Sequence, residues 1–237
     1  MYVLLRFYFS IFGVGAVFGA LPMADLLLVL SVAAMFVASA AAIWQDNLKH
    51  MLAYSSLGQI GYITFGIGLA TPTGLTAGIV HLFNHGITKG ALFMLAGCVA
   101  MRVGSVRFDR MAGIGKTMPW TCAGIVVGGL SLIGVPATAG FVSKWYLVLA
   151  AIEAGAWWIA FMPVASSLLA VAYVWRFVEV AYFRAPAESV AGLREAPAGL
   201  LVPAALLLAA VVYFGIDPAL TVDAAARAAE SLLAGAR

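Results

Sequence analysis

Three ionisable side chains recur at intervals of four in one apolar stretch: His81, His85 and Lys89. Steps of four residues drift by only about 40° around a helix, so these side chains share one helix face, about 6 Å apart along it. Histidine titrates near neutral pH, and a lysine removed from water releases its proton more readily. Bridged by water, such groups could pass protons. The alternative is structural, with the histidines bonded to carbonyls or neighbouring helices and Lys89 paired with a carboxylate.

A further lysine, Lys144, follows a stretch that cannot form one regular helix. The segment from Gly134 to Gly140 contains Pro136, which removes an amide donor, and glycines that permit non-helical angles. We therefore predict a discontinuous helix with an unwound middle near 134–140, whose free backbone groups provide polar partners for Lys144. The structural alternative is that Lys144 caps the carbonyl end of the first half-helix.

Lys49 heads another predicted helix, where it could belong to the site or anchor the helix at the membrane surface. The candidate proton-translocation residues are therefore His81, His85, Lys89, Lys144 and Lys49. The same predicted helix as Lys49 has polar side chains that could line a wet path beside these residues or form hydrogen bonds between helices, namely Tyr54, Ser55, Ser56 and Gln59.

The remaining polar features predict no separate active site. Arg176 and Glu179 lie three residues apart near a helix end, which predicts a structural ion pair. Cys98 and Cys122 lie in apolar runs without metal-ligand spacing, and no Walker loop, HExxH, GxSxG or dinucleotide fingerprint occurs. We therefore predict no catalytic residue, no cofactor and no metal.

The elements that position these residues must be membrane helices. Hydrophobic residues make up 64% of the 237 residues and charged residues 10%, whereas soluble domains have about 45–50% and about 25%. Uncharged runs span 7–24, 26–45, 51–88, 117–143, 154–175 and 196–216, and a helix needs about 20 residues to cross the bilayer. Long unbroken apolar runs favour helices over a barrel. Soluble enzymes, nucleic-acid-binding modules and disulfide scaffolds are therefore excluded.

We predict an all-α polytopic protein with about seven transmembrane helices, near 2–20, 24–45, 50–70, 75–101, 118–152, 156–183 and 198–215. Residues 71–74 are predicted to form a tight turn, and 218–237 a surface helix. The loops on one side carry most of the basic residues: Lys49, His50, Arg102, Arg107, Arg110, Lys116, Arg184 and Arg194. Asp25, Glu153 and Asp217 fall on the other side. The positive-inside rule therefore predicts a multi-pass membrane protein with cytoplasmic basic loops.

Three stretches resemble the antiporter-like membrane subunits of respiratory complex I and of Mrp-type cation/proton antiporters. Residues 46–56 (DNLKHMLAYSS) with Gln59 and Tyr62 resemble the family's D-x-K-R-x-L-A-Y-S-S…Q-x-G-Y stretch. Residues 81–93 resemble its H-x-x-x-H-x-x-x-K helix. Residues 134–146 resemble its broken twelfth helix, with Lys144 in the place of the channel lysine, and GVPATAGFVSKWYL is most similar to the D subunit of Mrp-type antiporters.

The resemblance implies the second half of a fourteen-helix subunit. Residues 1–22 would be a remnant of the eighth helix, 23–184 the second five-helix channel repeat, and 185–237 the last transmembrane helix and the C-terminal tail. The second half-channel would consist of His81, His85, Lys89 and Lys144. The charged residues of the first half-channel are not in this sequence, so we expect a truncated gene or a subunit completed by another chain.

The function that the resemblance implies is proton and monovalent cation (Na⁺/H⁺) translocation in a multisubunit antiporter. One alternative is a proton-pumping subunit of an NADH–quinone oxidoreductase or a hydrogenase-type respiratory complex. Another is a truncated fragment that transports nothing. The expected partners are other membrane subunits, protons, Na⁺ and the lipid bilayer, with no nucleic acid.

Overall fold

A computed structural model describes residues 1–13, 15 and 22–234, and the regular structure in these ranges is helical. The helices are α1 Tyr2–Arg6, α2 Met23–Ile43, α3 Leu48–Gly68, α4 Pro72–Val103, α5 Pro119–Ile133, α6 Ala139–Glu153, α7 Phe161–Val178, α8 Ala198–Ile216 and α9 Ala219–Ala234. Helices α1 and α7 continue as π-helical segments, Phe7–Phe12 and Glu179–Phe183. Short 3₁₀ helices occur in the loops at Phe108–Met111, Ile114–Lys116 and Glu188–Val190.

Four of the described helices are long and apolar enough to cross a membrane: α2, α4, α7 with its π-helical extension, and α8. The other predicted crossings coincide with α1 and its extension, with α3, and with the α5–α6 pair. Residues 14 and 16–20 of the first predicted crossing lie outside the described residues. The prediction of an all-α polytopic membrane protein is confirmed in the part of the chain that the structure describes.

Helix α4 is the centre of the bundle and packs against α3, α5, α6, α8 and α9. It begins earlier than predicted, because the predicted turn at 71–74 is its first turn. The Thr71 hydroxyl accepts a hydrogen bond from the Gly74 amide (3.0 Å), and Pro72 occupies a position where no amide donor is needed. At about 1.5 Å per residue α4 is about 48 Å long, so Lys89 lies far from both ends.

The predicted discontinuous helix is present, with a shorter break than expected. Helix α5 ends at Ile133, after which Gly134 adopts the left-handed conformation (φ 90°), and Ala137 also has a positive φ (67°). Helix α6 begins directly after Thr138. The unwound segment is therefore 134–138, and Gly140 belongs to the first turn of α6.

The loops predicted to carry the basic residues lie together. The Leu48 amide donates to the Val106 carbonyl (2.9 Å), and the Gly113 amide donates to the Val180 carbonyl (2.9 Å). These bonds tie the α2–α3, α4–α5 and α7–α8 connections to one end of the bundle. The structure therefore agrees with the predicted grouping of the loops, while their cytoplasmic location stays a prediction.

The predicted ion pair between Arg176 and Glu179 is wrong. Arg176 instead pairs with Asp46 (2.6 Å) and donates to the Ile43 carbonyl at the end of α2 (2.6 Å). Glu179 pairs with Arg184 (2.9 Å). Packing of α7 against α2 brings Arg176 to the α2–α3 loop, where an acidic side chain and a free helix-end carbonyl are available to it.

Glu195 fastens the loop before α8 to the beginning of α5. Its carboxylate accepts hydrogen bonds from the Trp120 amide (2.8 Å) and the Thr121 hydroxyl (2.5 Å). Burial raises the pKa of the Glu195 carboxyl, but the hydrogen bonds from Thr121, Ala196 and Trp120 together hold that pKa below its ordinary value. The carboxylate thus serves as the missing acceptor for the first amides of α5.

Replacing Glu195 with glutamine is expected to destabilise the protein by about 1 kcal/mol at pH 7, as the loss of a helix cap does. A carboxyl whose pKa is lowered by folding contributes stability above its unfolded pKa, about 4.3, and loses that contribution as the pH falls through its folded pKa. Thermal unfolding of the detergent-solubilised protein should therefore show a difference between wild type and Glu195→Gln that shrinks from pH 7 to pH 3. The exposed Glu188→Gln is the control, and a difference independent of pH would contradict the prediction.

Candidate functional site

Lys89 lies buried between α4 and α3, with 5% of its surface exposed. Its ammonium nitrogen donates to the Leu52 carbonyl (2.8 Å) and to the Ser55 hydroxyl. No ion pair of the described residues includes Lys89, so the carboxylate partner of the structural alternative is not found there. A buried charge without a counterion is costly, and neutral oxygens can hold the amine in either its charged or its neutral form.

Lys144 lies at the helix break, with 7% of its surface exposed. Its Nζ donates to the carbonyls of Leu132 (2.7 Å) and Ile133 (2.9 Å) and to the Ser167 hydroxyl (2.9 Å). The two carbonyls belong to the last turn of α5, where carbonyl groups lack an amide donor within the helix. Lys144 therefore does cap the first half-helix, as the structural alternative proposed, and the same nitrogen contacts a hydroxyl on α7.

A cavity of about 270 Å³ adjoins Lys144 at the break. It is lined by Gly134 of the unwound segment and by residues of α5, α6 and α7, among them Trp145 and Ser167. The Lys144 ammonium also lies over the ring of Tyr62, 4.6 Å from the ring centre, where the face of an aromatic ring attracts a cation. Lys144 is thus surrounded by hydrogen-bond acceptors and a ring face, and no anion is paired with it in the described residues.

His81 joins three helices through both ring nitrogens. Nδ1 lies 2.8 Å from the Ser143 hydroxyl on α6, and Nε2 lies 2.9 Å from the Gln59 side-chain oxygen on α3. A neutral ring donates from Nε2 and accepts at Nδ1, whereas a protonated ring donates from both nitrogens, and Ser143 can serve either form. The His81 ring centre also lies 5.3 Å from that of Tyr62, so Tyr62 contacts both His81 and Lys144.

His85 lies on α4 between His81 and Lys89, and its Nε2 is buried without a hydrogen-bond partner in the described residues. The neighbouring Asn84 donates to the Ala139 carbonyl at the start of α6 (2.7 Å), while its own side-chain oxygen is also unpaired there. Buried polar atoms of this kind are ordinarily satisfied by water. The three ionisable residues share a helix face, yet the structure connects His81 and Lys89 to α3 rather than to each other.

Lys49 is placed apart from this cluster. It is exposed in the first turn of α3, where the Asn47 side chain accepts a hydrogen bond from its backbone amide (2.9 Å). It precedes Leu52 by one helical turn, on the side of the loops. The structure therefore brings His81, Lys89 and Lys144 into one buried region with His85 beside it, and leaves Lys49 at the surface.

The sequence pattern does not identify several polar residues that the structure places beside the buried lysines. Ser143 adjoins Lys144 in the chain, and Ser166 and Ser167 form a pair of hydroxyls within the apolar run 154–175. Two adjacent serines in the middle of a predicted membrane crossing are the feature of the sequence that could have indicated their place in the site. The Tyr62 hydroxyl contacts both of them, at 2.5 Å for Ser166 and 3.2 Å for Ser167.

The structure has membrane-length helices around a discontinuous helix, and buried amines lie at the break and at the bundle centre. This is the architecture of a multi-pass membrane protein of the transporter type. Comparison with known proteins gives the family. The chain belongs to the family described as "NADH:quinone oxidoreductase/Mrp antiporter, TM", which matches residues 1–170.

Individual relatives agree with this family. NADH-quinone oxidoreductase subunit N of Desulforudis audaxviator is 40% identical over 199 residues, covering 79% of this chain and 40% of the relative. The Mrp complex of Dietzia sp. DQ12-45-1b contains a similar chain (TM-score 0.82, 26% identity), with 89% of this chain and 47% of that chain covered. A chain of an archaeal membrane-bound sulfane sulfur reductase is also similar (TM-score 0.80, 30% identity), with 85% and 33% covered. The chain spans about two fifths of the length of the curated relative.

Proposed function

We propose that this chain is a proton-translocating membrane subunit in which Lys89 and Lys144 gain and lose protons. The observation that carries the proposal is the burial of both amines among neutral oxygens, with no carboxylate paired to either in the described residues. An amine held in this way can lose its proton without leaving a buried anion behind. A charge on one amine also raises the cost of a charge on the next, so that protonation of one site can displace a proton from another.

The histidines and Lys49 extend the proposed route. His81 keeps its contacts with Ser143 and Gln59 in either protonation state, and His85 lies between it and Lys89 on the same helix. Lys49, exposed one turn before Leu52, would receive or release protons on the side of the basic loops. This side would be the cytoplasm of a bacterium, because basic loops remain inside.

The complex that we favour is a redox-driven respiratory complex, with other membrane subunits as partners. The 40% identity to an NADH-quinone oxidoreductase subunit N supports it, as does the 30% identity to a chain of an archaeal respiratory membrane complex. The second candidate is a cation/proton antiporter. It is supported by the TM-score of 0.82 with a chain of an Mrp complex and by the sequence from 134 to 147.

Inverted membrane vesicles from the source cells distinguish the two candidates. Proton uptake would be followed with a pH-sensitive dye, in vesicles with and without the gene, after adding either NADH and a quinone or a pulse of Na⁺. Uptake driven by the electron donor and lost with the gene would support the respiratory complex, and a gene-dependent response to Na⁺ alone would support the antiporter. Uptake driven by ATP hydrolysis is the control, and no gene-dependent response to either addition would overturn the proposal.

A further inference from the structure

The three partners of the Lys144 amine differ in what they can do with a proton. The carbonyls of Leu132 and Ile133 can only accept hydrogen bonds, so neither can give Lys144 a proton or carry one away. The Ser167 hydroxyl both accepts and donates. We propose that Ser167 is the group through which Lys144 exchanges its proton, and that the Tyr62 hydroxyl is the next group on the route. This inference rests on the proposed function.

The number of N–H bonds on Lys144 depends on its protonation state. A charged Lys144 has three N–H bonds, one for each of its three oxygen partners. A neutral Lys144 has two N–H bonds and one lone pair. If the two carbonyls keep the two N–H bonds, the lone pair faces Ser167, whose hydroxyl must then turn to donate. That hydroxyl now donates to the Pro163 carbonyl of its own helix (2.8 Å), so the change needs only a rotation about the C–O bond.

The Tyr62 hydroxyl can supply or take the proton that Ser167 exchanges. It lies 3.2 Å from the Ser167 oxygen, and either atom can be the donor. In the protonation step the Ser167 proton moves to Lys144 Nζ, the Tyr62 proton moves to the Ser167 oxygen, and a hydronium ion gives a proton to the Tyr62 oxygen and becomes water. One O–H bond breaks for each bond formed at the hydroxyls, so neither Ser167 nor Tyr62 ends with a charge. Deprotonation reverses the same steps.

The second buried lysine also has a carbonyl and a serine hydroxyl as partners. Lys89 donates to a carbonyl of α3 and to the Ser55 hydroxyl, and Ser55 donates to the Leu52 carbonyl of its own helix (3.0 Å). The buried hydroxyl of Tyr173 lies close to Ser55. Lys89 is thus held by one helix carbonyl and Lys144 by two, and each amine also contacts one serine that has a tyrosine near it. The repetition at two sites on different helices supports a common means of proton exchange.

The test compares two substitutions of equal shape, Ser167→Thr and Ser167→Val, in the full-length protein within its native membranes. Only threonine keeps a hydroxyl. Dye-reported proton uptake should be at least about tenfold slower in Ser167→Val than in Ser167→Thr. A positioned proton-transfer group contributes about 10²–10⁴-fold to a rate, so a tenfold loss is a cautious expectation. Ser167→Ala, which adds no bulk, should be as slow as the valine variant, and Tyr62→Phe should also be slow. The control is Ser31→Ala, which removes a buried serine whose side-chain hydrogen bond in the described part of the chain is to Leu28 of its own helix (2.8 Å).

The outcomes separate this inference from the proposed function. Lys144→Arg, measured in the same membranes, tests the function itself. If Lys144→Arg stops uptake while the alanine and valine variants at Ser167 run at the wild-type rate, the route through Ser167 is wrong and the function stands. If Lys144→Arg leaves uptake unchanged, both fail. The amount of each variant in the membrane, measured by immunoblot, normalises the rates.

Discussion

Replacing Lys144 with arginine is expected to slow proton translocation at least about a hundredfold while the protein still assembles. A hundredfold effect is the lower end of what a positioned proton-transfer group contributes. Arginine keeps the positive charge and has enough N–H donors for the carbonyls of Leu132 and Ile133. A guanidinium is not deprotonated in proteins, however, so it cannot release the proton that the next step requires. The adjoining cavity of about 270 Å³ gives the larger side chain room.

This substitution separates the two roles that the geometry gives Lys144. If the lysine served only to cap α5, arginine would replace it and translocation would continue. Dye-reported proton uptake by inverted vesicles measures the rate, and the amount of the variant in the membrane measures assembly. Lys116→Arg is the matched control, because Lys116 is exposed at the end of a short loop helix. An unimpaired rate in Lys144→Arg would show that capping is the whole role.

The helical membrane fold could be predicted from the sequence because it depends on composition and on local backbone chemistry. The scarcity of charges excluded a water-facing surface, and Gly134 with Pro136 excluded a continuous helix. The bounds of the break were less predictable. Helix α5 ends because Pro136 and the positive φ angles of Gly134 and Ala137 are incompatible with a helix. Helix α6 begins directly after Thr138, so Gly140 is helical.

The partners of the buried lysines could not be predicted, because they depend on which helices pack together. A spacing of four places His81, His85 and Lys89 on one helix face, but it does not indicate which neighbouring helix packs against that face. Ser167 reaches Lys144 only because α7 packs against α6. The error at Arg176 has the same origin. Its partner Asp46 lies 130 residues away in sequence, and tertiary packing outweighed the nearby Glu179.

Replacing Gly140 with alanine is expected to be the most disruptive single-methyl change at the helix break. A Cβ at this position would lie 1.8 Å from the Ser131 carbonyl oxygen, and the contact is with backbone, which cannot rotate away. Helix α6 would have to move by more than 1 Å from the last turn of α5. Overpacking of this kind costs about 1–3 kcal/mol and sometimes more, and we expect the upper part of that range.

The same displacement would reach the site, since Lys144 lies one turn after Gly140 on α6 and its bonds to Leu132 and Ile133 span the break. A shift of about 1 Å can reduce the rate of a positioned reaction about a hundredfold. The control is Gly97→Ala in α4, where an added Cβ meets nothing within 4 Å and alanine gains about 1 kcal/mol of helix propensity. Thermal unfolding in detergent should therefore shift downward for Gly140→Ala and not for Gly97→Ala. Equal unfolding temperatures for the two variants would mean that α6 is not held against α5 as closely as these contacts require.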